Sequence, residues 1–148
     1  MITIAELLYF LLRDLDKFIS EIEAFHPEAG LWRVEGEVTN CAGNLSLHIA
    51  GNLQHFIGAT LGATGYMRDR DREFSEKNVP KSELLRQLHE ARAVVEQVLG
   101  QMSSNQLSAV YPADYFGEGR SIAFVMLTLL AHLNYHLGQV NYLRRLLA

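Results

Sequence analysis

Apolar residues return every three or four positions along the start of the chain: Ile4, Leu7, Leu8, Leu11, Leu15, Phe18, Ile22 and Phe25. This is the period of a helix that buries one face, and a chain built from such stripes has to pack helix against helix. Thr3 and Glu6 form a capping-box pattern ahead of the stripe, and Pro27 stops its continuation. The first helix is expected from about Thr3 to about Phe25.

The same reasoning places three more helices. After a linker holding Gly30 and Gly36, Thr39 or Asn40 can cap a second helix running to about Leu61. Gly43, Gly51 and Gly58 lie inside it, and each interior glycine costs up to about 1 kcal/mol relative to alanine, so close packing against a neighbour is the expected compensation. The phrases "AGNLSLHI" and "AGNLQHFI" echo each other within this helix and are too closely spaced for a solenoid repeat. The charged stretch from Met67 to Asn78 reads as a solvated connection able to cross from one end of a bundle to the other. Asn78 to Pro80 supplies the next helix start. Leu84, Leu85, Leu88, Ala91, Val95, Val98 and Leu99 supply its stripe, to about Met102. Ser103 to Arg120, with Pro112, Gly117 and Gly119, reads as a long loop with a short turn of helix. Ser121 caps the last helix, which runs to near the C-terminus. No segment alternates as a strand does. The expectation is an all-α four-helix bundle in a single domain spanning residues 1–148.

Composition narrows the function. With 148 residues, 49% of them apolar, the chain can bury one substantial core. Thirteen basic and 17 acidic residues give a net charge of -4 without a basic stripe, which argues against nucleic acid as a partner. The single cysteine, Cys41, forbids an intrachain disulfide framework and agrees with a reducing compartment. The longest apolar run, Ile122 to Leu133, is broken by Thr128 and His132 and falls short of the roughly 20 residues a bilayer needs. The N-terminus lacks the charged start and cleavage site of a signal peptide. A soluble, cytoplasmic protein with no membrane partner is expected.

The chemistry concentrates in the last helix. In "LLAHLNYHLGQVNYLRRLL", His132 and His136 stand four residues apart, separated by only about 40° around the helix. Leu129, Leu133, Val140 and Leu143 border them, so the pair sits on or beside the face that enters the core, where an imidazole needs a hydrogen-bond partner or a metal. Two such rings can meet a zinc-like ion at about 2.0 to 2.1 Å without bending the backbone. A third ligand has to come from elsewhere, and the second helix offers His48 and His55. These are about 10 Å apart along the axis, so both cannot ligate one ion. His48 is preferred because it lies near the helix midpoint, beside the apolar sector of Leu45, Ile49, Leu53 and Phe56; His55 is then left as a pocket or exposed residue.

Three neutral imidazoles leave a tetrahedral ion one open position, the arrangement of a catalytic metal. Cys41, seven residues before His48, is poorly placed to close that position and reads as a small buried filler. His26 and His89 read as surface residues. The metalloprotease motif H-E-x-x-H is absent, since Leu133 follows His132. Neither a G-x-S-x-G elbow nor a phosphate-cradling loop occurs, because "GATLGATG" lacks the lysine and the strand.

One histidine midway along the second helix and an H-x-x-x-H pair in the fourth give the chain a resemblance to the DinB superfamily. The matching pieces are "NLSLHIAGNLQHFIGATLG", with His48, and "LAHLNYHLGQVNYLRRLL", with His132 and His136. The resemblance covers nearly the whole chain and is closest to a small branch sharing "LHIAGNLQHFIG" and "YHLGQ". It implies an up-down-down-up four-helix bundle, a divalent metal, zinc or nickel, held by His48, His132 and His136, and frequently a homodimer. Relatives are regarded variously as metal-dependent hydrolases, as transferases or isomerases using low-molecular-weight thiols, or as damage-associated proteins. The ending "NYLRR" has Leu143 where some relatives carry another histidine.

Together these readings lead to a metal-dependent enzyme of the DinB type, with metal-activated water hydrolysing a small substrate. The rivals are a thiol-dependent S-transferase or isomerase and a non-catalytic dimeric helical module. Asn44, Asn52, His55 and Gln139 are the candidate pocket groups, each within about 40° of a ligand's direction on its helix.

Overall fold

The computed structural model describes residues 1–147. It is all-α: among the described residues the only β-type pairing is an isolated bridge between Val110 and Ser121. Five helices are numbered here in chain order. Helix α1 spans Ile4–Glu23; α2 spans Ala42–Leu53 and continues through Gln54–Ala59 to Thr60–Gly62; α3 is Arg70–Ser75; α4 is Lys81–Gly100; α5 is Ile122–Leu147. Short 3-10 turns at Glu28–Trp32 and Ser104–Ser108 lie in the linkers.

Helix α1 starts as its sequence requires. The Thr3 hydroxyl accepts from the Glu6 amide at 3.2 Å, while the Thr3 amide donates to Glu6 Oε2 at 2.8 Å, so two otherwise orphaned donors are satisfied. Leu7, Leu11, Leu15, Phe18 and Ile22 of its stripe are fully buried. At α5, Ser121 Oγ accepts from the Phe124 amide at 3.1 Å, again the expected cap. The start of α2 differs. Neither Thr39 nor Asn40 caps it; Cys41 holds the N-cap position and supplies no side-chain cap. All twelve residues from Ala42 to Leu53 are buried, so surrounding structure fixes this helix and its start needs little help from a cap.

The interior glycines of α2 mark close approaches. A Cβ on Gly43 would come within 2.7 Å of the Trp32 ring, one on Gly58 within 2.9 Å of Val94, and one on Gly51 would overlap the Glu73 carboxylate. The helix thus gives up intrinsic propensity in exchange for contact.

Polar links fix how the long helices run. Arg92 on α4 pairs with Asp16 on α1 at 2.6 Å, Lys81 Nζ at the start of α4 donates to the Phe25 carbonyl just past α1 at 3.0 Å, and the Ile4 amide meets Ser104 Oγ beyond α4 at 3.1 Å. Helices α1 and α4 are therefore antiparallel. Asn134 donates to Asp14 Oδ2 at 2.7 Å and Asn141 to Glu21 Oε1 at 2.8 Å, with Arg144 also on Glu21, so α5 runs parallel to α1. Gly58 and Gly62 of α2 meet Val94 and Val98 of α4 in the same order, which makes α2 and α4 parallel. The buried apolar residues of all four form one connected core.

Because α2 and α4 run the same way, the chain between them has to travel back along the length of the helices. The stretch Met67 to Asn78 does so, but it is not simply solvated. It contains α3, capped by Asp69 Oδ1 accepting from the Arg72 amide at 3.1 Å, and α3 packs on α2 with Glu73 turned inward and only 6% exposed. The correction has a physical reason: the carboxylate's burial is matched by an imidazole and a guanidinium that the linear pattern does not reveal.

Candidate metal centre

Helix α2 carries His48 and α5 carries His132 and His136 one turn apart, and packing these helices brings the three rings together. His132 Nε2 lies 3.0 Å from His48 Nε2 and 3.0 Å from His136 Nε2, and one ligand atom from each ring falls within 4.8 Å of the others. Their planes are close to mutually perpendicular, at 80°, 90° and 88°, so the three edges face a common point from different directions. Nitrogens bound to one tetrahedral ion would stand about 3.4 Å apart, within small ring rotations of what is found. The donor set suits zinc or a neighbouring borderline ion.

The far nitrogens decide which way the lone pairs point. His48 Nδ1 is 2.9 Å from Glu73 Oε1, and Arg68 clamps the same carboxylate with Nε on Oε2 at 2.8 Å and Nη2 on Oε1 at 2.9 Å. Burial pushes the Glu73 carboxyl up, but the hydrogen bonds from His48 and Arg68 outweigh it and hold the group below its ordinary range. Glu73 is thus ionised and can only accept, which puts the His48 proton on Nδ1 and leaves Nε2 bare. His136 is set the same way, with Nδ1 2.7 Å from Gln139 Oε1. His132 Nδ1 is buried with no hydrogen-bond partner. Two bare nitrogens therefore face the third ring, whose single remaining proton can serve them only by sharing. That arrangement favours a cation at the meeting point. A proton is a poor candidate at neutral pH: burial, reinforced by the neighbouring histidines and by Arg68 and Arg70, lowers His132 to about 4, and burial lowers His136 as well.

A cavity of about 140 Å³ opens beside His48 and His132, with Asn52, Phe56, Arg68 and Phe116 among its walls. Its shape depends on the continuation of α2, where Gln54–Ala59 widens into a π-helical turn. Such a turn releases carbonyls from the regular ladder, and here hydroxyls from other positions meet them: Tyr111 Oη donates to the Phe56 carbonyl at 2.7 Å and Thr60 Oγ1 to the His55 carbonyl at 3.1 Å.

The four expected pocket groups divide. Asn52 lines the cavity. Gln139 orients His136 from outside. Asn44 braces α3 instead: its Nδ2 donates to the carbonyls of Glu73 at 2.9 Å and Glu76 at 2.8 Å, while its Oδ1 accepts from Cys41 Sγ at 2.9 Å and from Lys77. His55 stands on the widened turn, stacked edge-on against Phe56, and lines no part of the cavity. Cys41 is buried, and His26 and His89 are exposed. Sequence reasoning missed Glu73 and Arg68. The one available signal was Gly51, on the helix that carries His48, whose missing side chain makes room for the Glu73 carboxylate.

Comparison with known proteins adds the family. No curated protein and no solved structure matches the chain. One family model, described as "Protein of unknown function (DUF1572)", matches residues 11–148, which is nearly the whole length and includes all three histidines. The chain belongs to the DUF1572 family.

Proposed function

We propose that the chain is a metal-dependent enzyme of the DinB type, in which His48, His132 and His136 hold a divalent ion, zinc or nickel, for hydrolysis of a small substrate. One observation carries this reading: three imidazole nitrogens converge, two of them with their lone pairs directed inward by acceptors on their far sides. An ion held there would supply Lewis acidity, making a water more acidic and polarising an acyl oxygen. The chain's own residues do the rest. Glu73 and Gln139 keep the ligand rings in one tautomer, Arg68 keeps Glu73 charged, and the cavity walls bring a substrate to the side of His48 and His132.

The helix directions described above support an up-down-down-up four-helix bundle, with α1, α2, α4 and α5 as its members and α3 on the crossover. No helix among the described residues is long and apolar enough to cross a membrane, in keeping with the proposed cytoplasmic location. The homodimer belongs to the same proposal, and the exposed Leu127, Tyr135, Tyr142 and Leu146 of α5 are the surface offered to a second copy.

Metal analysis of protein purified without a histidine tag tests the reading. About one equivalent of zinc or nickel is expected, retained or taken up on addition, and His136→Ala should abolish it without loss of helicity. Less than about a tenth of an equivalent, with none taken up, would remove the enzyme reading and leave the helical module. A thiol bound to the metalated protein, with no ester or amide hydrolysed, would move the assignment to thiol transfer.

A further inference from the structure

The cavity beside the histidines carries a polarity that holding a metal does not require. Its volume of about 140 Å³ matches a void that accepts a benzene-sized body, and Phe56, Phe116 and Leu129 give it apolar walls. Two guanidinium groups line it as well, in a chain whose net charge is -4. They are not equivalent. Arg68 is bound on two sides by Glu73 and is neutralised. Arg70 is exposed at the rim, stacks on Phe74 at 5.2 Å, and makes no ion pair among the described residues. Deeper in, Asn52 is only 6% exposed, and its amide oxygen has no hydrogen-bond partner. A buried acceptor left in that state costs stability unless a water or a ligand supplies a donor.

We propose that this cavity binds a small carboxylic acid with an aromatic or branched apolar body, the carboxylate on Arg70 and the body against Phe56 and Phe116; a ligand that also carries a hydroxyl or N–H has the Asn52 oxygen to meet. A monoanion fits better than a phosphate, because one free guanidinium balances one negative charge and Arg68 is already committed to Glu73. That such an acid is the substrate rests on the metal-dependent reading; that the cavity binds it does not.

Benzoate, titrated calorimetrically into the full chain with and without zinc, is the probe, with acetophenone as its uncharged counterpart of the same shape. Benzoate should bind in both states, acetophenone at least about tenfold more weakly, and Arg70→Gln should weaken benzoate by at least about tenfold. Arg70 is exposed, so that variant should fold as the parent does. Benzoate binding equal in Arg70→Gln and parent, acetophenone binding as well as benzoate, or no benzoate binding up to about 10 mM would each overturn the proposal. Zinc content, measured on the same samples, separates the two readings. Benzoate binding that depends on Arg70 in a protein taking up no zinc would refute the metal centre alone. Benzoate binding that needs zinc and ignores Arg70 would refute the acid pocket alone.

Discussion

Glu73 Oε1 lies 2.9 Å from Nδ1 of His48, and this contact ties the connection between α2 and α4 to the three converging histidines. The carboxylate comes from α3, is buried, and is held on its other side by Arg68. It fixes both the tautomer and the orientation of one of the three candidate ligands.

Removing that support should weaken metal binding without removing a ligand. Zinc affinity of Glu73→Ala is expected to fall about 10- to 100-fold, with far-ultraviolet circular dichroism unchanged. Glu73→Gln should fall less, since an amide oxygen still accepts from His48. Competition with a zinc chelator measures both, and wild-type affinity in Glu73→Ala would show that the contact has no influence on the site.

Gly51 is the space that lets Glu73 in. Gly51→Ala should displace the carboxylate, lowering both thermal stability and zinc affinity, although alanine is the better helix former by about 1 kcal/mol. Gly100→Ala serves as the control: nothing stands within 4 Å of its added Cβ, so stability should stay within about 1 kcal/mol of the parent and zinc affinity should not move. Equal behaviour of the two variants in thermal melts and zinc titration would contradict the close approach.

The metal-free protein should lose stability in mild acid. His132 is lowered to about 4 from an ordinary 6.5, chiefly by burial, so the unfolded chain binds more protons between those values. Its contribution is complete above about pH 6.5 and is lost as pH falls through about 4, amounting to no more than about 3 kcal/mol. Burial of Asp14, Glu21 and Glu73 is outweighed by their hydrogen-bonding partners, so these carboxyls are held below the ordinary range and act only at lower pH. Urea unfolding of chelator-treated protein between pH 4.5 and 7 should show the slope, and His132→Gln should reduce it, the remainder coming from His136 and His55, which burial also lowers. An unchanged slope in that variant would assign the dependence to another group.

Asp14 is the polar clamp between α1 and α5. It is 1% exposed and accepts from Asn134 and from Arg13. Asp14→Ala is expected to cost about 1 to 3 kcal/mol, because two donors lose their acceptor and a gap opens between the helices. Asn134→Ala should cost less than Asp14→Ala, and denaturant midpoints of the two variants decide the order.

The proposed dimer surface makes a separate claim. Tyr135 and Tyr142, each 66% exposed, are two turns apart on the same face of α5. Tyr135→Arg should convert a dimer to a monomer in light scattering while zinc content is unchanged; a parent protein that is monomeric at all concentrations would remove the dimer from the account.

How much of this could be read in the sequence depends on what each signal averages over. The stripes of α1 and α4 and the pair His132 and His136 were legible because helical period and burial coincide there. His48 could be preferred over His55 because its neighbours are apolar on both sides. Glu73 and Arg68 could not be distinguished, since they sit among eight charged residues between Arg68 and Lys77 that look alike one-dimensionally. Asn44 and Asn52 lie about 80° apart on one helix, yet one braces α3 and the other lines the cavity. The angle places a residue on a face, but only the neighbouring α3 decides what that face meets. The widened turn at Gln54–Ala59 has no signature in periodicity, and the aim of His55 changes with it.

X-ray absorption of tag-free protein loaded with one equivalent of zinc tests the centre most directly. Three imidazole nitrogens at about 2.0 to 2.1 Å from the ion are expected, reduced to two or lost altogether in His48→Ala. A shell of oxygens alone, or a spectrum unchanged by His48→Ala, would contradict it.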